Sequence, residues 1–238
     1  MHTSHKRQKE IWEREHKRPS ALAHLDSEEV SGGVKKFWEW LCGHTNCVSS
    51  KLSGLEICCG KGRNALWLAQ QGARMTGFDF SSSAIAACKS RSKARNLSKR
   101  AHFLEHDAIA PWPFFLESFD FVIDCFGSGD VDGKENRMFV CHETLRVLKP
   151  GGYFFLYTNS RESEFYQKIP AMQDSGAERN VFYYPGIQKF EKAYDENELA
   201  DLYRNCVLVK EAIMERQSPV QGKVYAWKHF WRIYQKPL

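Results

Sequence analysis

The sequence predicts an α/β protein: a doubly wound, mostly parallel sheet of seven strands that ends in a C-terminal antiparallel hairpin. Two observations carry this. From residue 52 to residue 157, short apolar runs bounded by turn residues alternate with segments long enough for helices, the pattern of strand–helix–strand units. The last two runs, Val207 to Glu215 and Val224 to Tyr234, are joined by a loop holding Ser218, Pro219 and Gly222. A parallel return needs roughly a dozen residues or more, so these two must pair antiparallel.

Each element has its own signal. The charged first twenty residues lack the apolar stretch of a secretory signal and are read as part of a cytoplasmic chain. Val34, Phe37, Trp38 and Leu41 fall at helical spacing, which predicts a helix packed on the domain. Strands are predicted at Leu52 to Cys58, Arg74 to Phe78, His102 to Leu104, Phe119 to Ile123 and Gly152 to Tyr157. Between them, Arg63 to Gln71 carries Ala65, Leu66 and Ala69 on one side and stops at Gly72, a residue suited to the left-handed turn after a helix. Ser81 or Ser82 caps a helix running to about Arg95, and Lys134 to Leu148 carries Met138, Val140, Leu145 and Val147 until LKPGG ends it. Asp195 and Glu198 have capping-box spacing at the start of a helix to Arg204. No repeat or linker divides the chain. Residues 1–45 are therefore read as an N-terminal helical arm packed on a domain of residues 46–238, with 160–194 as an insertion after the fifth strand.

Composition excludes several classes. With 42% hydrophobic and 13% aromatic residues the chain is expected to fold around a core. Its longest apolar run, Tyr153 to Tyr157, is far below the roughly 20 residues that span a bilayer, so no membrane segment is expected. The eight cysteines show no framework and are read as reduced thiols. Cys42, His44 and Cys47 offer three metal ligands without a fourth, and no metal site is assigned. The net charge of +5 is unevenly spread: Lys89, Arg91, Lys93, Arg95, Lys99 and Arg100 lie in a stretch free of acids, and the arm adds Lys6, Arg7, Lys9, Arg14, Lys17 and Arg18. Base-stacking aromatics are not interleaved with these cations, so a solvated helix face is favoured over an RNA-binding surface.

A ligand is implied by LEICCGKGRNALWLAQQGARMTGFDF, residues 55–80. Gly60 and Gly62 sit at the carboxyl end of the first strand, where a doubly wound sheet binds its ligand, and glycine lets the backbone turn and approach closely. Asp79 ends the second strand, where a carboxylate can accept both hydroxyls of a ribose. Gly60, Gly62 and Ala65 also fit the G-x-G-x-x-A dinucleotide pattern. Glu56, however, places an acid inside the first strand, which suits a ligand carrying an ammonium group.

These segments closely resemble the class I S-adenosylmethionine-dependent methyltransferases. LEICCGKGRN is similar to the family's first motif and MTGFDFS to its second; HDA at 106–108 and FDFVIDCFGS at 119–128 fall where the third and fourth occur, and LRVLKPGG at 145–152 leads into the fifth strand. The resemblance implies a Rossmann-like sheet and S-adenosylmethionine as cofactor. Glu56 and the Gly60 to Gly62 loop would hold the methionyl end, Asp79 the ribose and Phe80 the adenine face. Asp107 would accept from the adenine amino group and Ala108 offer its amide, while Asp124 and Cys125 flank the amino group and the methyl. Cys58 departs from the pattern, standing where the family most often has its first glycine.

No catalytic base is assigned. Asp124, His106 and His142 are candidates to take a proton, with His142 read rather as an exposed residue of the fourth helix. Phe165, Tyr166, Phe182, Tyr183, Tyr184 and Phe190 of the insertion, together with Pro185 and with Trp12 and Trp38 of the arm, either cover a small, partly apolar acceptor or simply pack on the core. A short arm without an added domain is most similar to the small-molecule group, such as the thiopurine and tellurite enzymes. The alternatives are an RNA or protein methyltransferase using the basic 89–100 helix, and a non-catalytic cofactor-binding subunit. The sequence has DCFGSG in place of an N-P-P-Y motif, which disfavours adenine or cytosine N-methylation.

Overall fold

Two helices precede the sheet, α1 (His5–Lys17) and α2 (Gly32–Thr45). The parallel part follows as β1 (Ser53–Ile57), α3 (Arg63–Gln70), β2 (Arg74–Asp79), α4 (Ser82–Ala94), β3 (Ala101–Glu105), β4 (Phe119–Cys125), α5 (Lys134–Val147) and β5 (Leu148–Asn159). Then come α6 (Glu164–Lys168), β6 (Val181–Tyr183), β7 (Phe190–Lys192), α7 (Glu196–Leu202), β8 (Val207–Val220) and β9 (Lys223–Gln235). The computed structural model describes residues 5–17, 25–45, 49–169, 178–184 and 186–238. Arg18, Cys47 and Pro185, singled out above, lie outside them.

The seven-stranded sheet has the order β3-β2-β1-β4-β5-β9-β8. The first five strands pair in parallel, and β9 runs antiparallel to both β5 and β8. Strand order reverses between β1 and β4, so the loops after these two strands diverge and leave a crevice at their carboxyl ends. The sheet is covered on both faces. On one, Phe37 and Leu41 of α2, Leu66 and Ala69 of α3 and Ile85 of α4 pack with Phe121, Phe155 and Trp231. On the other, Val140 and Val147 of α5 and Leu199 of α7 pack with Leu55, Val122, Phe154 and Tyr234.

The helix ends follow their residue chemistry. Ser81 caps α4 by accepting from the Ala84 amide at 3.1 Å, and Asp195 and Glu198 form a reciprocal capping box on α7. Helix α2 approaches the sheet closely: the Trp231 indole donates to the Gly33 carbonyl at 2.9 Å, and Phe37 stacks on Phe155 at 4.8 Å.

Two boundaries differ from the sequence expectation. Strand β5 begins at Leu148, so LKPGG both ends α5 and opens the strand; the register slips between Phe119 and Phe121, and Gly151 turns at φ +72°. The final hairpin is tighter than expected. Strand β8 runs through Ser218 and Pro219, and the turn is only Gln221 and Gly222, at φ +49° and +79°. Two positive φ values in a two-residue turn match the twist of the flanking strands, and an outer strand tolerates proline.

The insertion forms α6 and an antiparallel pair, β6 with β7. Phe165, Tyr166 and Phe182 bury their rings against Trp227 and Val220. These three rings of the expected cover pack inward instead. These rings satisfy themselves on the β8–β9 hairpin, and Trp38 belongs to the main core.

Candidate functional site

At the reversal of strand order lies a cleft that opens to solvent, with a cavity volume of about 140 Å³. Its floor is the loop after β1. Backbone φ there is left-handed at every second residue, Cys58 (+48°), Gly60 (+52°) and Gly62 (+75°), so the chain coils tightly in front of α3. The left-handed angle at Cys58 is a physical reason for a glycine at that position, since a side chain there costs roughly 1–2 kcal/mol.

Eight of the ten expected cofactor residues line this cleft: Glu56, Cys58, Gly60, Asp79, Phe80, Asp107, Ala108 and Cys125. Gly62 and Asp124 do not. A Cβ on Gly62 would come within 2.8 Å of the Cys88 sulfur and 3.1 Å of Phe103, so this glycine serves the packing of α3 against α4 and β3. The Asp124 carboxylate turns back to accept from the Gly127 amide at 2.8 Å and the Ser128 amide at 3.1 Å, shaping the loop after β4. Burial pushes its pKa up to about 6, and those donors oppose the rise.

The carboxylates of the floor are held by backbone and amide donors. Glu56, 2% exposed, accepts from the Asn64 side chain at 2.8 Å and the Ala65 amide at 2.9 Å. Burial nevertheless raises its pKa to about 7, with these two donors and the nearby Arg63 charge opposing the rise. Asp79 accepts from the Gly60 amide and the Ser81 amide, both at 2.9 Å. Burial raises its pKa too, with nearby His16 and the two amides opposing.

Helix α1 forms the wall facing this floor, and sequence reasoning missed how firmly it is tied down. Glu13 accepts from the Ser81 hydroxyl at 2.5 Å and the Ser83 hydroxyl at 2.6 Å. Burial disfavours its charge, but these hydroxyls and Lys17 outweigh that and bring its pKa down to about 2. At the helix's first turns His5 and Lys9 meet Asp107 at 2.8 and 3.0 Å and flank the Phe80 ring. Burial would raise the Asp107 pKa, but hydrogen bonds from His5, Lys9 and the Ile109 amide hold it well below the usual range. At the other end His16 is buried over Gly60, and Gln8 accepts from the Phe190 amide of β7 at 2.9 Å. Trp12 also lines the cleft, whereas none of the described aromatic residues of the insertion does.

Two candidate bases and the basic helix are placed elsewhere. His106 packs edge-on against Phe78 and His142 is exposed on α5; neither lines the cleft. Arg91 and Arg95 pair with Glu28, Arg91 also donates to the Lys61 carbonyl, and Arg100 donates to the Gly72 carbonyl. Among the described residues no group of three or more His, Cys, Asp or Glu is arranged to hold a metal, and no helix is long and apolar enough to cross a membrane.

The reversed sheet order, the coiled loop after β1 and the acid ending β2 define a Rossmann-like α/β fold that closes in an antiparallel hairpin. Residues 55–152 match the family model of the methyltransferase domain, so this stretch of the chain carries a methyltransferase domain. Over 111 residues it is 36% identical to the demethylmenaquinone methyltransferase of Leptospira interrogans, covering 46% of this chain and 43% of that protein. It is 37% identical over 116 residues to the phthiotriol/phenolphthiotriol dimycocerosates methyltransferase of Mycobacterium tuberculosis, covering 47% of this chain and 40% of the relative. The chain thus spans less than half the length of these two curated relatives. A crystal structure of a SAM-dependent methyltransferase from Methanosarcina mazei superposes with a TM-score of 0.70 at 25% identity, covering 81% of this chain and 96% of that one.

Proposed function

We propose that this protein transfers a methyl group from S-adenosylmethionine to a small-molecule acceptor. The convergence of Glu56, Gly60, Asp79, Phe80 and Asp107 on one cleft carries the reading. Glu56 is a buried carboxyl whose ionised form the cofactor's ammonium would favour. Asp79 is fixed by two amides with lone pairs left for a ribose diol. Phe80 offers a face for adenine and Ala108 an amide; Asp107 receives the exocyclic amine in competition with His5 and Lys9. Cys125 borders the reacting methyl, while Gly62 and Asp124 shape the two loops.

Bound there, S-adenosylmethionine supplies an electrophilic methyl on a sulfonium with a neutral leaving group. The protein's share is positioning and exclusion of water. Helix α1 lies along the cleft for about 18 Å and, through Glu13, is joined to the start of α4. The names of the curated relatives support a small-molecule acceptor. So does the engagement of Arg91, Arg95 and Arg100 in internal contacts, which takes up half of the six cations of that stretch.

Calorimetric titration with S-adenosylmethionine tests the reading, followed by a screen for S-adenosylhomocysteine release over thiols, phenols, amines and RNA. Micromolar cofactor binding with turnover of a small acceptor is expected. Absent binding, or binding of a nicotinamide dinucleotide instead, defeats it.

A further inference from the structure

Beyond the motif residues, one wall of the cleft carries a charged group that neither the motifs nor the methyl-transfer reading assigns. Asp130 lines the cleft at the end of a short 3-10 turn, Ser128–Asp130, five residues past Cys125. Behind it stands Lys189 of the insertion, 4% exposed, with its ammonium 2.7 Å from Asp130 and 3.1 Å from Glu191. Glu191 is anchored in turn by the Asn159 amide at 3.0 Å. The same ammonium lies 5.2 Å over the Trp12 ring of α1. A second observation points to a ligand here. Gln8, 2% exposed and also lining the cleft, spends its carbonyl on the Phe190 amide and leaves its NH2 without a partner.

We propose that this corner is the acceptor subsite, that it takes a small hydroxylated aromatic compound, and that Asp130 is the catalytic residue that receives the hydroxyl proton. Lys189 and Glu191 are positioning residues. This rests on the methyl-transfer reading. In the step, a lone pair of the acceptor oxygen forms the new O–CH3 bond as the S–CH3 bond breaks. The bond pair stays on sulfur as a neutral thioether, and the hydroxyl proton passes to the Asp130 carboxylate.

The chemistry of the corner selects the class. A hydroxyl can donate to Asp130 and accept from the Gln8 amide with the same oxygen. A protonated amine cannot accept, and it would bring a second cation beside Lys189. A thiol makes only weak hydrogen bonds to either partner. Trp12 and Phe126, both on the cleft, offer flat apolar walls for a ring.

The charge state suits the task. Burial lifts the Asp130 pKa to about 7, with Lys189 opposing the rise while Glu191 and Asp124 add to it. The thiol of Cys58 and the phenol of Tyr166 also face Asp130, and burial pushes both to higher pKa, so they stay neutral. A base poised near neutrality is effective at neutral pH.

The test uses the full chain with S-adenosylhomocysteine bound and 2-naphthol as probe, a phenol that ionises only well above neutrality. Calorimetry across the neutral range reads probe affinity, and a separate titration reads S-adenosylhomocysteine. In the wild type, probe affinity should rise with pH through about 7, because the ionised carboxylate is the acceptor. Asp130→Asn should bind the probe at least ~10-fold more weakly and without that pH dependence, while holding S-adenosylhomocysteine within about twofold. Lys189→Met should shift the rise to higher pH, a displacement that a purely structural role does not produce, and it carries the test should Asp130→Asn fail to fold. Unchanged affinity and pH profile in the variants would overturn the proposal, as would a wild type that binds S-adenosylhomocysteine but not 2-naphthol. A wild type that binds no S-adenosylhomocysteine defeats the methyl-transfer reading itself.

Discussion

The Glu13 carboxylate of α1 accepts from the Ser81 hydroxyl, the same side chain that caps α4. One serine therefore joins the wall of the cleft to the strand end that carries Asp79. Because Glu13 also accepts from Ser83, the first turn of α4 works as a socket for α1.

Glu13→Ala should release α1 while leaving the sheet intact. Hydrogen exchange at the amides of α1 is expected to accelerate by at least ~10-fold with β4 and β5 unchanged, and cofactor affinity to fall by a similar factor. Uniform exchange in variant and wild type would show that α1 is held by its apolar side alone.

Acid should undo the same contact. The folded pKa of Glu13 is depressed from 4.5 to about 2, so its contribution is complete above the unfolded value and is lost as pH falls through the folded one. Protection of α1 amides should decline between these two values before the sheet unfolds. If helix and sheet lose protection together, the contact is not a separable unit.

Glu56 is shifted the other way, though its interaction too is lost as pH falls. Its carboxyl is raised to about 7, and only the ionised form attracts an ammonium. Affinity for S-adenosylmethionine should climb as pH rises through about 7, with proton release on binding below that point. Glu56→Gln should remove this component and weaken binding by ~10-fold, read by calorimetry in buffers of different ionisation enthalpy. A pH profile identical to the wild type would place the ammonium elsewhere.

Gly62→Ala combines two penalties: a side chain at φ +75°, and a Cβ 2.8 Å from the Cys88 sulfur. Left-handed strain and overpacking together predict a loss of about 2 to 5 kcal/mol. Urea denaturation checks it, and a loss below about 1 kcal/mol would mean that Cys88 and Phe103 move aside freely.

The fold was largely legible in the sequence because its signals are local. Strand periodicity, the capping serine before α4 and the Asp195–Glu198 box each act within a few positions, and Gly60 and Gly62 mark the coiled loop by the left-handed angles glycine allows. What escaped depends on contacts across long stretches of chain. Glu13 and Ser81 are 68 positions apart, and Lys189 and Asp130 are 59 apart. Composition alone assigns the aromatic residues of the insertion equally well to a ligand or to one another. Only the fold shows that Trp227 takes up Phe165 and Tyr166. Asp124 is instructive in another way: an acid at the tip of β4 suggests chemistry, yet two nearby amides claim it for the turn.

The proline in β8 has a consequence for how the molecule behaves in a crowd. Val220 and Lys223 flank a two-residue turn and exchange both their hydrogen bonds, so the next pair, Pro219 with Val224, directs its backbone groups away from each other. The nitrogen of Pro219 faces the free rim of the sheet, where it has no hydrogen to offer an incoming strand. Val207 and Ile213 lie exposed on the same outer strand, and the missing donor interrupts the row of hydrogen-bonding groups at its tip.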